Sequence, residues 1–405
     1  MSLAAAVQPA DASAPSARPH EAAALAARRT VTRQVRARGE SKLLYFGSVA
    51  SHHDIQLTPK VYVVFWGRWA PGSAATFDDP ANAQPYITSF VQGIGDKGDD
   101  WSAIANGYCA GSTETDPCAA TNRSRVRFRP GSLVGTWNDT ANPPVNPSDA
   151  QILAEAQRAA AHFGHATRSA SRDYQYVIAT PHGVGSLPDQ KFCAWHDFGQ
   201  TAKGAEIAYI YLPYTLDSHE GCGENFVNQD ARGKLDGVSL LLGHEIFEAA
   251  TDPSFVGWFT NKGNEIADLC QWYDGQGGVR DVTFTTGRFA VQGMFSNLAY
   301  GGKGGCINQS ALAGAPTSPL DVAATTVDAQ DCTVTFAAPT SAGAQPIVGY
   351  AITSTPATPV VNAPQPGSVV VGNLVAGTPY TFAVRAINAY GASLPSAASA
   401  VCTPA

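Results

Sequence analysis

The sequence predicts an α/β (or α+β) layered main domain followed by an all-β sandwich. Three observations carry this. Apolar, strand-like runs alternate with helical patterns between residues 59 and 250. A stretch rich in Ala, Gly and Pro, ALAGAPTSP at 311–319, then breaks the chain, and helical patterning stops after it. From 320 to 402 short β-rich runs separated by turn residues follow one another, about seven in under about 100 residues, the spacing of a sandwich. A chain of 405 residues has room for two or more domains. Its 44% hydrophobic content supports true cores.

Taken in order, residues 1–58 read as a poorly structured leader, since 1–40 are rich in Ala, Pro, Ser and Arg with no core pattern. This leader lacks the apolar segment of a signal peptide, so a secreted chain would have had its signal trimmed. The run VYVVFW at 61–66 is almost continuously apolar, as in a strand buried on both faces. Residues 80–94 read as a helix, with Ile87, Phe90, Val91 and Ile94 at helical spacing. The stretch 104–147 reads as loop with one short strand, Val126–Phe128. Ser148 caps a helix, SDAQILAEAQRAAAHF. Strands follow at Tyr174–Ala179 and Ile207–Leu212, then a helix over about 235–250. The Gly-rich 280–310 reads as β or coil. The main domain is therefore placed at 59–310, a linker at 311–319 and the sandwich at 320–405.

The net charge of −7 and a charged fraction of 15% give no electrostatic footprint for nucleic acid or an anionic membrane. No apolar run reaches the ~18 residues that a membrane span needs. The eight cysteines form no CxxC pair, which favours disulfides. A sequential pairing is expected: 109–118, 193–222, 270–306 and 332–402. Disulfides imply an oxidising, extracellular setting.

The sharpest chemical feature is LLGHEIFEAATDP at 241–253. His244 and Glu248 stand one helical turn apart on one face, with Glu245 between them. Two ligands at this spacing can hold zinc while the intervening Glu acts as base toward a metal-activated water. The second ligand is Glu rather than His, an HExxE motif, and Glu also binds zinc. Two carboxylate ligands also admit a harder ion such as Ca²⁺ or Mn²⁺. His196, in Cys193-Ala-Trp-His196, is a candidate donor to an oxyanion. His182, His219 and Tyr273 are weaker candidates, and His52-His53 read as surface residues. There is neither a GxSxG nucleophile motif nor a phosphate loop.

Three resemblances attach to these residues. The segment from Gly243-His-Glu into Ala-Ala-Thr-Asp resembles the zinc helix of thermolysin-like metallopeptidases, the gluzincins. Those enzymes take a third ligand from a later helix. By that resemblance Asn264-Glu-Ile-Ala-Asp268 supplies Glu265 as third ligand and Asp268 as the acceptor orienting His244, or the two exchange roles. Val61–Gly67, Cys193-Ala-Trp-His196, Asp236–Glu245, Thr251-Asp-Pro253 and Glu265–Cys270 together are similar to the phosphate-induced protein 1 family, the exordium-like proteins of plant cell walls and their bacterial relatives. That resemblance implies an extracellular protein. Gly349-Tyr350, Leu374 and Tyr380 resemble a fibronectin type III domain, with Leu374 and Tyr380 at its tyrosine corner and Phe336 where the family has a core Trp.

The expected function is that of a secreted zinc metallopeptidase-like hydrolase with His244, Glu248 and Glu265 on the metal. The alternative is a non-catalytic extracellular protein associated with cell wall or glycan. Under it Trp66, Trp69, Trp101, Trp195 and Trp272 would suit sugar stacking, although most of them are expected in the core. The partner is then a peptide or a cell-wall polymer.

Overall fold

The computed structural model describes residues 42–47, 54–72, 77–97, 99–111, 124–185, 192–275, 277–297, 299, 304–310, 315–343, 345–388, 391–393 and 395–405. The main domain runs β1 (Leu44–Tyr45), β2 (Lys60–Trp66), α1 (Ala83–Gly93), β3 (Leu133–Asp139), α2 (Asp149–His162), β4 (Tyr174–Ala179), β5 (Trp195–Gln200), β6 (Glu206–Leu212), α3 (Asp236–Thr251) and β7 (Trp258–Phe259). Two hairpin-like pairs follow: β8 (Arg280–Phe284) with β9 (Gly287–Val291), and β10 (Met294–Ser296) with β11 (Gly305–Ile307).

Five strands form the central sheet in the order β3-β2-β4-β6-β5. The first four are parallel, and β5 closes the edge antiparallel to β6. The continuous apolar run of β2 is explained by its two faces. Val61, Val63 and Phe65 pack into a core with α1 and α3, while Tyr62, Val64 and Trp66 pack against α2. Each face of a central parallel strand is thus covered by helix, which is why its sequence does not alternate. Helix α2 begins where the cap was expected: Ser148 Oγ accepts from Gln151 N, and Gln151 Oε1 accepts from Ser148 N at 2.9 Å.

Three expectations are corrected. Val126–Phe128 forms no strand; the strand of that region is β3, seven residues later in the chain, and its burial alternates because it lies at the sheet edge. Trp195–Gln200 form strand β5, which the expected strands do not include. Residues 42–47 and 54–58 do not belong to a loose leader: β1 pairs with β7, and Leu43 and Ile55 are buried in the main core. As expected of most of them, Trp66, Trp101 and Trp195 lie in the core, and Trp69 and Trp272 are half-buried. His52-His53 lie outside the described residues.

Helix α3 is buried at every position. It is wedged between the sheet and the β8–β9 pair, where Ser239 Oγ donates to Ala290 O at 2.6 Å. Gly243 makes this fit possible. A Cβ there would stand 2.8 Å from the Trp101 ring.

The C-terminal region is a two-sheet sandwich of β12 (Leu320–Thr326), β13 (Cys332–Ala337), β14 (Gly349–Thr355), β15 (Val361–Ala363), β16 (Gly367–Val371), β17 (Thr381–Asn388) and β18 (Gly391–Ala392). The sheets are β12-β13-β16 and β15-β14-β17-β18. Strand β17 alternates buried and half-buried residues along its whole length, as a strand with one face on a core does. Val334, Phe336, Tyr350, Ile352, Leu374, Phe382 and Val384 fill the space between the sheets. Tyr380 makes the expected corner: its hydroxyl accepts from Val375 N at 3.2 Å. Disulfides join Cys193–Cys222, Cys270–Cys306 and Cys332–Cys402. Cys118 of the fourth expected pair lies outside the described residues.

Candidate metal centre

Three segments converge on one point. Strand β5 alternates, so Trp195 enters the α2-side core while His196 turns to the opposite face, toward α3. Helix α3 presents His244, Glu245 and Glu248 from one side. The turn before the short 3₁₀ helix Asp268–Cys270 brings Glu265 and Asp268. The segment expected to supply a third ligand is therefore a turn and not the later helix of the gluzincin resemblance.

The distances are short. His244 Nε2 lies 3.1 Å from Glu248 Oε2 and 3.6 Å from Asp268 Oδ1. His196 Nδ1 lies 3.2 Å from Glu245 Oε2 and 3.6 Å from Glu248 Oε2, and its Nε2 lies 3.7 Å from Glu265 Oε1. Two sets of candidate ligands, His196/Glu248/Glu265 and His244/Glu245/Glu248, each have their donor atoms within 4.8 Å of one another. All but Asp268 are buried; Asp268 keeps 39% of its side chain exposed. The solvated helix face that chance would give an HExxE is absent here.

The surroundings hold these groups in place. Glu248 Oε1 accepts from Ala267 N and Asp268 N at 3.2 and 3.1 Å, which leaves Oε2 toward the histidines. Asp268 Oδ2 accepts from Glu265 N at 2.9 Å and so shapes the turn. Asp268 does not orient His244 through its second nitrogen, because it faces the same Nε2 as Glu248 does. That orienting place belongs to Gln292, whose Oε1 lies 3.4 Å from His244 Nδ1. Gln292 donates to Ala267 O at 3.0 Å, and its carbonyl accepts from Trp101 Nε1 at 2.8 Å. Nothing in the sequence around a lone Gln in VQGM announces this role.

The electrostatics follow from four carboxylates meeting two imidazoles out of water. Burial opposes a charged ring at His196, but the hydrogen bond and charge of Glu245, with Glu248 and Asp252 behind, raise its pKa. Burial opposes charge at His244 too, and Glu248 and Asp268 still lift it well above the ordinary imidazole value. Burial, then the Asp268 charge, pushes the Glu248 carboxyl up to about 7. Burial would raise Asp268, but His244 holds it below the usual carboxylate range. So much negative charge needs a compensating cation, supplied either by ring protons or by a divalent ion.

The other candidates stand apart from the cluster. His182 Nδ1 pairs with Asp217 Oδ1 at 2.5 Å at the end of β4. Tyr273 is 43% exposed. The His219 side chain lies outside the described residues.

Residues 314–401 match the family model of the fibronectin type III domain. The chain is 22% identical over 268 residues to Protein EXORDIUM-like 5 of Arabidopsis thaliana, a match covering 59% of this chain and 68% of that protein. Among solved structures it is similar to the FN5 domain of Drosophila Lar, at 26% identity, 22% of this chain, 98% of that one and a TM-score of 0.19. It is also similar to titin kinase and its flanking domains, at 28% identity, 22% of this chain, 17% of that one and a TM-score of 0.20. The chain thus spans under a fifth of that titin structure. Both resemblances read from the residues hold: exordium-like in the N-terminal part, fibronectin type III in the C-terminal part. The type III match and the disulfides are consistent with an extracellular location. No helix among the described residues is long and apolar enough to cross a membrane.

Proposed function

We propose that the protein is a non-catalytic extracellular protein of the exordium-like type, associated with a cell-wall polymer, whose main domain is organised around a buried divalent-cation centre. His244, Glu248 and Glu265 hold the ion, with Asp268 at its solvent edge. The observation that carries this reading is the burial of the whole donor set in the middle of the domain. Five of its six side chains are inaccessible, so the cluster supports the fold more readily than it admits a polymeric substrate. In this set the His244 imidazole favours zinc, while the carboxylates also suit a harder ion such as calcium or manganese.

A zinc metallopeptidase-like hydrolase is the second reading. It is favoured by one observation, the position of Glu245 between the two ligands of α3. In that reading Glu245 serves as general base, and the ion would supply Lewis acidity to a scissile carbonyl.

One set of measurements separates the two. Elemental analysis of the purified full chain should give about one ion per chain, lost in His244→Ala. Wild type and Glu245→Gln are then compared on a peptide library and on insoluble cell-wall polysaccharide. Equal polysaccharide retention with no peptide turnover supports the binding protein. Metal-dependent turnover that vanishes in Glu245→Gln establishes the hydrolase instead. No ion in the wild type, even after incubation with zinc, overturns both.

A further inference from the structure

We infer that His196 is a fourth protein ligand of the centre and that Glu245 is the residue that orients it, so that the site is closed. This rests on the cation-centre reading above and goes beyond it. It reassigns His196, expected as an oxyanion donor, and Glu245, expected as a base.

The two histidines are arranged alike. Each gives one ring nitrogen to a side-chain acceptor and points the other at carboxylate oxygens. For His244 the acceptor is Gln292 Oε1, at 3.4 Å from Nδ1, and Nε2 faces Glu248. For His196 the acceptor is Glu245 Oε2, at 3.2 Å from Nδ1, with Glu248 Oε2 at 3.6 Å from the same nitrogen, and Nε2 faces Glu265. This is how metal-bound imidazoles are held: the outer acceptor fixes the ring and its tautomer, and the inner nitrogen keeps its lone pair for the ion.

His196 Nε2 also carries a signal of its own. The side chain is 4% exposed, yet Nε2 has no hydrogen-bond partner, and the nearest charged atom lies at 3.7 Å. Burying such a nitrogen without a partner costs about 1–3 kcal/mol. A ligand bond to an ion removes that cost.

The donors fall into two triads that share Glu248, His196/Glu248/Glu265 and His244/Glu245/Glu248, each within 4.8 Å, and one ion bound to both histidines draws the two together. Four N and O donors about 2.1 Å from a tetrahedral zinc ion are separated by roughly 3.4 Å. The facing contacts are 3.1 Å for His244 Nε2 with Glu248 Oε2 and 3.7 Å for His196 Nε2 with Glu265 Oε1. A donor set of two histidines and two glutamates fills four positions. A fully occupied tetrahedron is the mark of a structural site, whereas catalytic sites keep one position open.

X-ray absorption spectroscopy on the zinc-loaded full chain tests this, because outer-sphere scattering counts imidazoles. Two imidazoles are expected in the wild type and one in His196→Asn. Glu245→Ala is expected to keep both imidazoles while zinc affinity falls about 10–100-fold, the effect of losing an orienting acceptor. One imidazole in the wild type overturns the fourth ligand and leaves the centre intact. So does an unchanged affinity and spectrum in His196→Asn. A wild type that binds no zinc overturns the centre and this inference together. The imidazole count in the wild type needs no variant, so it decides the matter even where His196→Asn fails to fold.

Discussion

The two parts of the chain both have apolar interiors but differ in what those interiors enclose. The C-terminal sandwich buries an apolar cluster of aliphatic and aromatic side chains, closed by Cys332–Cys402. The main domain has a larger apolar core, but its most buried helix carries His244, Glu245 and Glu248 into the middle of it. An apolar core contributes stability by itself in proportion to the area it removes from water. A buried charged cluster is stabilising only when every member is compensated. The sandwich should therefore be stable as folded, while the stability of the main domain should depend on what occupies its centre.

This contrast can be broken by experiment. His244→Ala leaves Glu248 and Asp268 without their principal partner, and an uncompensated buried charge costs about 3–5 kcal/mol. Calorimetry should show the main-domain transition shifted far down and the sandwich transition unmoved. A common shift of both would end the idea of two independent interiors. Chelation of the wild type should move the same transition in the same direction, by a smaller amount that grows with the chelator's strength.

Gly243→Ala sharpens the comparison by touching the centre indirectly. The new methyl would press on Trp101, which holds the Gln292 carbonyl. A cost of about 1–2 kcal/mol is expected, overpacking offset in part by helix propensity. Zinc affinity measured by competition with a chromophoric chelator should fall along with stability. Smallest of all, Tyr380→Phe removes the hydroxyl that Val375 N bonds and should lower sandwich stability by about 1 kcal/mol in denaturant titration. Metal content should stay unchanged.

What could be read in the sequence follows the same division. Strands buried on both faces, such as VYVVFW, are legible because nothing else in the chain is so continuously apolar. Strands β3 and β5 are not, since Gly135, Asn138 and Asp139 dilute the first, and His196 and Asp197 the second. Both lie at sheet edges, where pairing with one neighbour leaves less trace in composition. Within the site, His244, Glu245 and Glu248 are legible as local spacing on one helix, and Glu265 with Asp268 through resemblance. The meeting of His196 with them depends on β5 adding antiparallel to β6. That pairing is set by a long-range register which no local pattern encodes, and the same holds for Gln292.

Two disulfides flank the proposed ligands in the sequence and bear on which atoms an incoming ion would meet. Cys193 stands three residues before His196, and Cys270 two residues after Asp268, and each is bonded to a distant partner, Cys222 and Cys306. As free thiolates these sulfurs would compete for zinc, being softer and stronger ligands than carboxylate oxygen. Oxidation withdraws them from the competition. For the proposed zinc centre the order of maturation would therefore matter: a chain meeting zinc before its cysteines pair would capture the ion on sulfur, and one oxidised first would offer it only nitrogen and oxygen.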